Sequence, residues 1–278
     1  MIGSNSCRQP EMSPEFRIIF LHHSTGGVIW RGTSNSNSFV TKVARKISTR
    51  LLRILESNAQ LPLLFKEYNK QNHTNYNIKE ISFPKASPYG WNNNPYDYYN
   101  IWVKNGGKEF YMEEPTLEIL TNEYQVIIFK HCYPVSNITA DVDSANINSN
   151  LKTIANYKLQ YSALRDKLHE FPDTKFILFT GAAQVKNKVS EDEAERAKEF
   201  FRWVREEWDL PKDNIYLWDL FSLQTEGGLY LRNEYARSIN DSHPNVEFAS
   251  KAVKLLFNRI IDVVENNGER TMLTGEVK

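Results

Sequence analysis

Residues 16–27 read FRIIFLHHSTGG, an apolar run that leads into a serine and two glycines. Phe16–Leu21 is apolar almost throughout, as is typical of a strand buried on both faces of a sheet. The runs that resemble it are Ile78–Phe83, Gln125–Phe129, Lys175–Thr180 and Asn214–Leu220. Because helical patterns separate these five runs, the sequence predicts an α/β fold, a three-layer α/β/α sandwich with a five-stranded parallel sheet.

Amphipathic helices are predicted between the strands, from apolar residues that recur at three- and four-residue steps. The first is predicted at 39–55, with a basic face that we interpret as solvated rather than as a stripe for an anionic ligand. Others are predicted at 116–124, at 150–171, after the Ser-x-x-Glu capping box that begins at Ser190, and from Asn245 onward.

The composition excludes several function classes. The chain has 278 residues with 34 basic and 34 acidic side chains, so it carries no net charge that would attract nucleic acid. Its two cysteines, Cys7 and Cys132, are too few for a disulfide scaffold or a four-cysteine zinc site. Because the net charge is zero, we expect no nucleic-acid partner.

The organisation along the chain predicts a single domain over 16–267, between a flexible N-terminus over 1–15 and a flexible tail over 268–278. No apolar run approaches the roughly 20 residues that a membrane-spanning helix needs. Since residues 1–15 lack the features of a signal peptide, a cytoplasmic location is expected. The oligomeric state is not determined by the sequence.

Ser24 follows the first predicted strand, and in open α/β sheets ligands bind beyond the carboxyl ends of the strands. A serine on such a turn is a candidate nucleophile. Gly26 and Gly27 allow a close approach, and the next helix would aim its N–H groups at a negative oxygen. The alternative is a serine that only caps this helix.

A second candidate lies in residues 240–245, which read NDSHPN and precede the last predicted helix. His243, with Asp241 nearby, has the makings of a general base with an orienting carboxylate, which a weak serine hydroxyl needs for activation. The alternative is a solvated histidine in a capping loop.

These two segments together resemble the motifs of the SGNH hydrolase superfamily, also called GDSL esterases and lipases. The HHSTG form of the first and the DSHPN form of the last are similar to a divergent branch, without the Gly-Asp-Ser string that names the family. The resemblance spans nearly the whole chain. It implies a flavodoxin-like sandwich in which Ser24 attacks an ester carbonyl, His243 takes the proton and a carboxylate orients the imidazole.

The sequence departs from the family pattern at the carboxylate and at the oxyanion hole. The family usually places Asp three residues before the histidine, where this chain has Asn240, whereas Asp241 lies two residues before it. Asp241 is the favoured orienter, and the alternatives are Asn240 or a Ser/His pair alone.

For the oxyanion hole, the family adds to the serine N–H a glycine after the second strand and an asparagine after the third. The candidates here are Gly90 and Asn137, although strict register assigns Cys132 to the asparagine position. The alternative for Asn137 is a turn residue.

Other polar residues carry weaker signals. Cys132 next to His131 suggests a thiol nucleophile, but neighbours on a strand point to opposite faces, so a buried structural cysteine is favoured. The pair His22 and His23 lacks any spacing typical of a metal site, and no dinucleotide or phosphate-binding motif is present. The sequence predicts neither a metal nor another cofactor.

The loop over 87–107 is rich in aromatic side chains. These rings either wall a sugar or acyl group at the edge of the sheet or pack in the core. They are Trp91, Tyr96, Tyr98, Tyr99 and Trp102.

The sequence therefore predicts a serine hydrolase that cleaves esters through an acyl-enzyme on Ser24, with O-acyl groups such as O-acetyl on carbohydrate as candidate substrates. The expected partner is a small-molecule or carbohydrate ester. Two alternatives use the same residues. One is a non-catalytic binding module that keeps the pocket, and the other is an O-acyltransferase that passes the acyl group to a sugar.

Overall fold

The computed structural model describes residues 14–32, 59–141 and 144–278. Its main sheet has five parallel strands in the order β2-β1-β3-β4-β5. The strands are β1 (Phe16–His22), β2 (Tyr76–Ser82), β3 (Val126–Phe129), β4 (Lys175–Phe179) and β5 (Ile215–Trp218). The predicted α/β fold with a five-stranded parallel sheet is confirmed, and its strand order is the flavodoxin-like one.

Helices cover both faces of this sheet, so alternate residues of β1 belong to different core clusters. Ile19 and Leu21 pack on one face, and Ile18 and Phe20 pack on the other. The helices in the described ranges are α1 (Thr25–Arg31), α2 (Gln60–Asn72), α3 (Pro95–Tyr98), α4 (Leu117–Glu123), α5 (Ile154–His169), α6 (Glu191–Trp203), α7 (Leu220–Thr225) and α8 (Val246–Asn266). Helices α3 to α6 contribute to the first cluster, and α1, α2 and α8 contribute to the second.

Most of the predicted helices are present. α4, α5 and α8 lie within the predicted bounds, and the capping box at the start of α6 is formed. In that box the Ser190 hydroxyl accepts the Glu193 N–H at 3.3 Å, and the Glu193 carboxylate accepts the Ser190 N–H at 3.0 Å. The helix predicted at 39–55 and Cys7 lie outside the described residues. Across the described ranges, no helix combines the length and the apolar character that crossing a bilayer requires.

Two elements have no counterpart in the sequence-based prediction. α2 was missed because only Leu61 and Phe65 of its residues are buried, which leaves a weak helical pattern. The other element is an antiparallel hairpin after β5, made of β6 (Ala236–Ser238) and β7 (Asp241–Pro244). Strands this short carry too few residues for an alternation of apolar and polar side chains to be recognised.

The C-terminal segment 268–278, which the sequence predicted as a flexible tail, makes hydrogen bonds with α8. The Thr271 hydroxyl donates to Asp262 Oδ2 at 2.6 Å and accepts from Arg259 Nη1 at 3.1 Å. The Thr271 N–H also donates to Asp262 Oδ2, at 2.8 Å. The buried Arg259 and Asp262 give the physical reason, because charged groups inside a core need hydrogen-bond partners and the tail supplies them.

Replacing Thr271 with Val tests this packing, because the new side chain has the same shape but no hydroxyl. We expect the free energy of unfolding to fall by about 1–3 kcal/mol, since a buried carboxylate loses a hydrogen bond. The measurement is a urea unfolding curve. Met272, which is 54% exposed on the same segment, provides the control Met272→Gln. Equal unfolding midpoints for Thr271→Val and wild type would mean that the tail is frayed.

Candidate active site

Ser24 lies just beyond β1, an inner strand, at the carboxyl edge of the sheet. β1 is flanked by β2 and β3, so the chain changes sides of the sheet at this strand, and ligands of open α/β sheets bind at such a point. Ser24 is exposed and has φ of 48° and ψ of −103°, a conformation that is strained for a residue with a Cβ. It is the N-cap residue of α1, yet its side chain makes no capping hydrogen bond. This geometry does not support the interpretation of Ser24 as a mere helix cap.

The turn that carries Ser24 packs against the buried imidazole of His22. His22 Nε2 lies 2.7 Å from Glu80 Oε2. Burial lowers the pKa of His22, and the neighbouring Glu80 carboxylate opposes that shift. A Cβ on Gly26 would lie 2.5 Å from His22 Cβ, so only glycine lets α1 begin directly against the end of β1. The close approach that the sequence predicted at Gly26 is therefore an approach to the side chain of His22.

Contacts of His23, through both its ring and its carbonyl group, fix the chain just before Ser24. The His23 ring contacts the carbonyl oxygen of Pro84 through Nε2, and the His23 carbonyl accepts the Gly26 N–H at 2.9 Å. Lys130, the residue after β3, places its Nζ 3.5 Å from the same carbonyl oxygen. Lys130 is only 1% exposed, and this burial lowers its pKa. Lys130 was not among the residues predicted from the sequence, although a lysine directly after an apolar strand was a usable signal.

The hairpin presents Asp241 and His243 to the same side. Burial alternates along β7, so Asp241 and His243 are partly exposed while Ser242 and Pro244 are buried. Residues two apart on a strand point to the same face of it. The Ser242 hydroxyl accordingly points the other way and accepts the Val185 N–H at 3.2 Å.

Ser24, His243 and Asp241 form one hydrogen-bonded line. Ser24 Oγ contacts His243 Nε2, and His243 Nδ1 lies 2.5 Å from Asp241 Oδ1. The same carboxylate oxygen accepts the backbone N–H of His243 at 3.0 Å. A carboxylate at Nδ1 favours the tautomer with its proton on that nitrogen, which leaves Nε2 free to accept the serine proton.

Asn240, the alternative orienter, contacts other groups. Its side-chain oxygen accepts a hydrogen bond from Asn187 Nδ2 at 3.2 Å, and its backbone N–H donates to Ser238 Oγ at 3.2 Å. The side chain at the imidazole is that of Asp241.

The Asp241 carboxyl is stabilised in its charged form. Its partial burial opposes ionisation, but hydrogen bonds from the backbone and ring of His243 and the charge of Arg237 lower its pKa overall. The carboxylate therefore stays ionised at neutral pH, as is needed to stabilise an imidazolium.

An aromatic contact holds the His243 ring from the side of β3. Tyr133 begins a short 3₁₀ turn, Tyr133–Ser136, shortly after that strand. The Tyr133 and His243 ring centroids lie 5.4 Å apart with an angle of 87° between their planes, the edge-to-face arrangement that aromatic rings prefer. This contact limits rotation of the imidazole.

The two predicted oxyanion donors do not contact Ser24 by any hydrogen bond within the described residues. Gly90 N–H donates to the Ala86 carbonyl at 2.7 Å. The Asn137 amide oxygen accepts from Gln184 Nε2 at 2.9 Å, and its amide nitrogen lies 3.5 Å from Glu193. The oxyanion roles of Gly90 and Asn137 stay predictions, and each would require these contacts to change.

Asn93 joins the segments that follow β2 and β3, the two strands on either side of β1, a role that the sequence did not reveal. Its amide nitrogen donates to the Phe83 carbonyl at 2.8 Å, and its amide oxygen accepts the Cys132 N–H at 2.6 Å. Cys132 itself is a free thiol and is partly exposed, whereas a buried position was favoured from the sequence.

The remaining histidine of interest, His131, is buried against aromatic rings. Burial and the neighbouring Lys130 lower the pKa of His131 to about 3. In the part of the chain that the structure describes, no three His, Cys, Asp or Glu side chains are grouped so that they could hold a metal ion.

The aromatic residues of the segment 87–107 differ in their burial. Tyr98, Tyr99 and Trp102 are buried in the core, so packing explains them. Trp91 and Tyr96 are partly exposed.

Comparisons with known proteins leave the function to be argued from the site itself. No family model matches the sequence, and neither does a curated protein. One solved structure that matches is described as a carbohydrate esterase whose active site displays divergent catalytic and non-catalytic binding functions. The match has 15% identity and a TM-score of 0.39, and it covers 91% of this chain and 68% of the other.

Lys130→Met removes the buried ammonium and keeps the length of the side chain. We expect the free energy of unfolding near pH 7 to rise by about 1–3 kcal/mol, because the variant no longer buries a charge. Burial lowers the pKa of Lys130 in the native state, so the unfolded chain binds this proton more strongly and the wild type gains stability as pH rises through that window.

The stability advantage of Lys130→Met should therefore shrink from near pH 7 to near pH 10, as measured by urea unfolding at both values. Lys79, an exposed lysine on β2, gives the control Lys79→Met, for which little change is expected. A Lys130→Met protein that is less stable than wild type at both pH values would contradict this prediction.

Proposed function

We propose that the protein is a serine hydrolase of the SGNH type that cleaves esters through an acyl-enzyme on Ser24. The observation that carries this proposal is the line from Ser24 Oγ through the His243 ring to Asp241. A serine hydroxyl is a weak nucleophile unless a base takes its proton, and a base works best when a third group orients it. The line contains all three groups, in the order that this chemistry requires.

The mechanism follows from the positions of the atoms. Ser24 Oγ attacks the ester carbonyl while its proton passes to His243 Nε2, and Asp241 stabilises the imidazolium that forms. The tetrahedral intermediate collapses, the alkoxide takes the proton from Nε2 and leaves, and the acyl group stays on Ser24. Water then attacks the acyl carbonyl and gives its proton to His243 Nε2. The second tetrahedral intermediate collapses, the Ser24 oxygen leaves and takes that proton back, and the carboxylic acid is released.

The developing oxyanion would be stabilised first by the N–H of Ser24. That N–H belongs to the peptide group whose carbonyl, on His23, lies 3.5 Å from the Lys130 ammonium. A positive charge at the carbonyl end polarises the peptide and strengthens the N–H as a donor. Gly90 and Asn137 remain the proposed additional donors. A missing donor typically lowers kcat by about 100- to 1,000-fold, so their engagement elsewhere predicts modest turnover.

Hydrolysis is favoured over acyl transfer by the exposure of the site. Ser24 is exposed and His243 is partly exposed, so water can reach an acyl group on the serine oxygen. An acyltransferase must keep water away from that intermediate. We therefore propose hydrolysis of small O-acyl esters, with O-acetyl groups on carbohydrate as the substrates to test first.

Ser24→Ala is the direct test of the nucleophile. We expect kcat/KM for p-nitrophenyl acetate to fall by roughly 1,000-fold or more, because the acyl-enzyme can no longer form. Ser162→Ala is the matched control, since Ser162 lies on α5 and donates to the Lys158 carbonyl of its own helix. Unchanged turnover in a folded Ser24→Ala protein would rule out Ser24 as the nucleophile.

A fluorophosphonate probe separates the enzyme from a non-catalytic binding module. An activated serine should be labelled, and labelling should disappear in Ser24→Ala. A folded wild-type protein that resists labelling would favour the binding module.

Replacing each candidate orienter by alanine tests the carboxylate. We expect Asp241→Ala to lower kcat by roughly 100- to 10,000-fold, because the imidazole loses the group that fixes its tautomer and stabilises its charge. Asn240→Ala should stay within about threefold of wild type, since it affects only a surface contact with Asn187. The reverse order of effects in p-nitrophenyl acetate assays would assign the orienting role to Asn240.

A further inference from the structure

The second oxygen of the Asp241 carboxylate has its own partner on the other strand of the hairpin. Arg237 Nη1 lies 3.3 Å from Asp241 Oδ2, while Oδ1 faces the His243 ring. The two oxygens of one carboxylate are thus engaged by two different side chains. The residue with these two contacts, Asp241, is also the residue at which the chain departs from the SGNH pattern, because it lies two residues before the histidine and not three.

The pairing of the hairpin places Arg237 opposite the histidine. Ala236 pairs with Pro244 and Ser238 pairs with Asp241, so one residue of β6, Arg237, stands opposite two residues of β7, Ser242 and His243. An irregularity of this kind changes the direction of side chains and is common next to active sites. It brings the guanidinium to the outer oxygen of Asp241.

We propose that Arg237 is a positioning residue that acts through Asp241: its guanidinium holds Oδ2 and offsets the carboxylate charge that the His243 ring faces, while Oδ1 lies on Nδ1. The inference rests on the proposed function, because the role of Arg237 is expressed through the base that activates Ser24. Oδ1 accepts both the ring and the backbone N–H of His243, and these two contacts keep it at the ring. The guanidinium contact at Oδ2 therefore acts mainly on the charge of the carboxylate.

The charge of Arg237 also sets the electrostatic balance at the imidazole. Arg237 offsets part of the carboxylate charge, so the ring faces an ion pair. Among the described residues, Arg31 of α1 interacts electrostatically with both Arg237 and Glu80 of β2, and Lys130 lies near Ser24. The pKa of Arg31 is lowered by burial, raised by Glu80 and lowered by Arg237, which places Arg31 within the electrostatic range of Arg237.

The test compares Arg237→Met with Arg237→Lys through the pH dependence of kcat/KM. Without the guanidinium, the Asp241 charge is no longer balanced and favours the protonated ring, so the acid-side midpoint should move upward by roughly 0.5 to 1 on the pH scale. Arg237→Lys keeps the charge and should leave the midpoint near that of wild type. A purely structural role would lower activity at every pH without moving the midpoint.

Arg232→Met is the matched control. Arg232 is another exposed arginine that is paired with carboxylates, those of Glu226 and Glu234. Removing it should leave the midpoint in place. An unmoved midpoint in Arg237→Met, or an equal shift in Arg237→Lys or in Arg232→Met, would overturn the proposal.

A second measurement needs no activity and separates this proposal from the proposed function. The NMR signal of the His243 ring, assigned by its loss in His243→Gln, can be titrated in wild type and in Arg237→Met. The titration midpoint should move in the same direction as the kinetic one. A wild-type protein that hydrolyses no ester but shows this shift would contradict the proposed function and leave Arg237 as the group that positions Asp241. No shift would overturn the role of Arg237 whatever the activity.

Discussion

The contact between Ser24 Oγ and His243 Nε2 joins residues 219 positions apart, and much of the fold serves to bring them together. β1 must lie inside the sheet so that its carboxyl end faces the point where the chain changes sides. After β5, on one edge of the sheet, the chain must then return to that point. The hairpin β6–β7 and helix α8, which packs against the same face as α1, make this return.

Contacts between polar groups fix the strained turn at Ser24. They are the His22–Glu80 pair, the contact of the His23 ring with Pro84 and the contact of the Lys130 ammonium with the His23 carbonyl. A non-glycine residue at positive φ persists only where its surroundings determine its conformation. These contacts provide such surroundings, so the direction of the Ser24 side chain depends on residues that have no contact with a substrate.

Local patterns in the sequence predicted the strands, and the resemblance to the SGNH superfamily implied the Ser24–His243 pair. Buried parallel strands read as apolar runs, and the ends of parallel strands meet at one edge. The sequence favoured Asp241 over Asn240 but left both open, because the choice depends on a hairpin of three and four residues and on its irregular register. The surroundings of Gly90 and Asn137 were also hidden, since they depend on loop contacts with Ala86, Gln184 and Glu193.

The buried ammonium of Lys130 lowers the stability of the fold but favours the proposed reaction. Burying the Lys130 ammonium to 1% exposure costs free energy of folding, and the same burial lowers the pKa of Lys130. A methionine would fill the same space without desolvating a charge. The ammonium acts at the carbonyl of the His23–Ser24 peptide, whose N–H belongs to the proposed nucleophile. If an oxyanion develops there, a fixed positive charge one peptide away stabilises the transition state more than the ground state, because the negative charge is largest in the former. A residue that weakens the folded state can therefore be retained for the reaction.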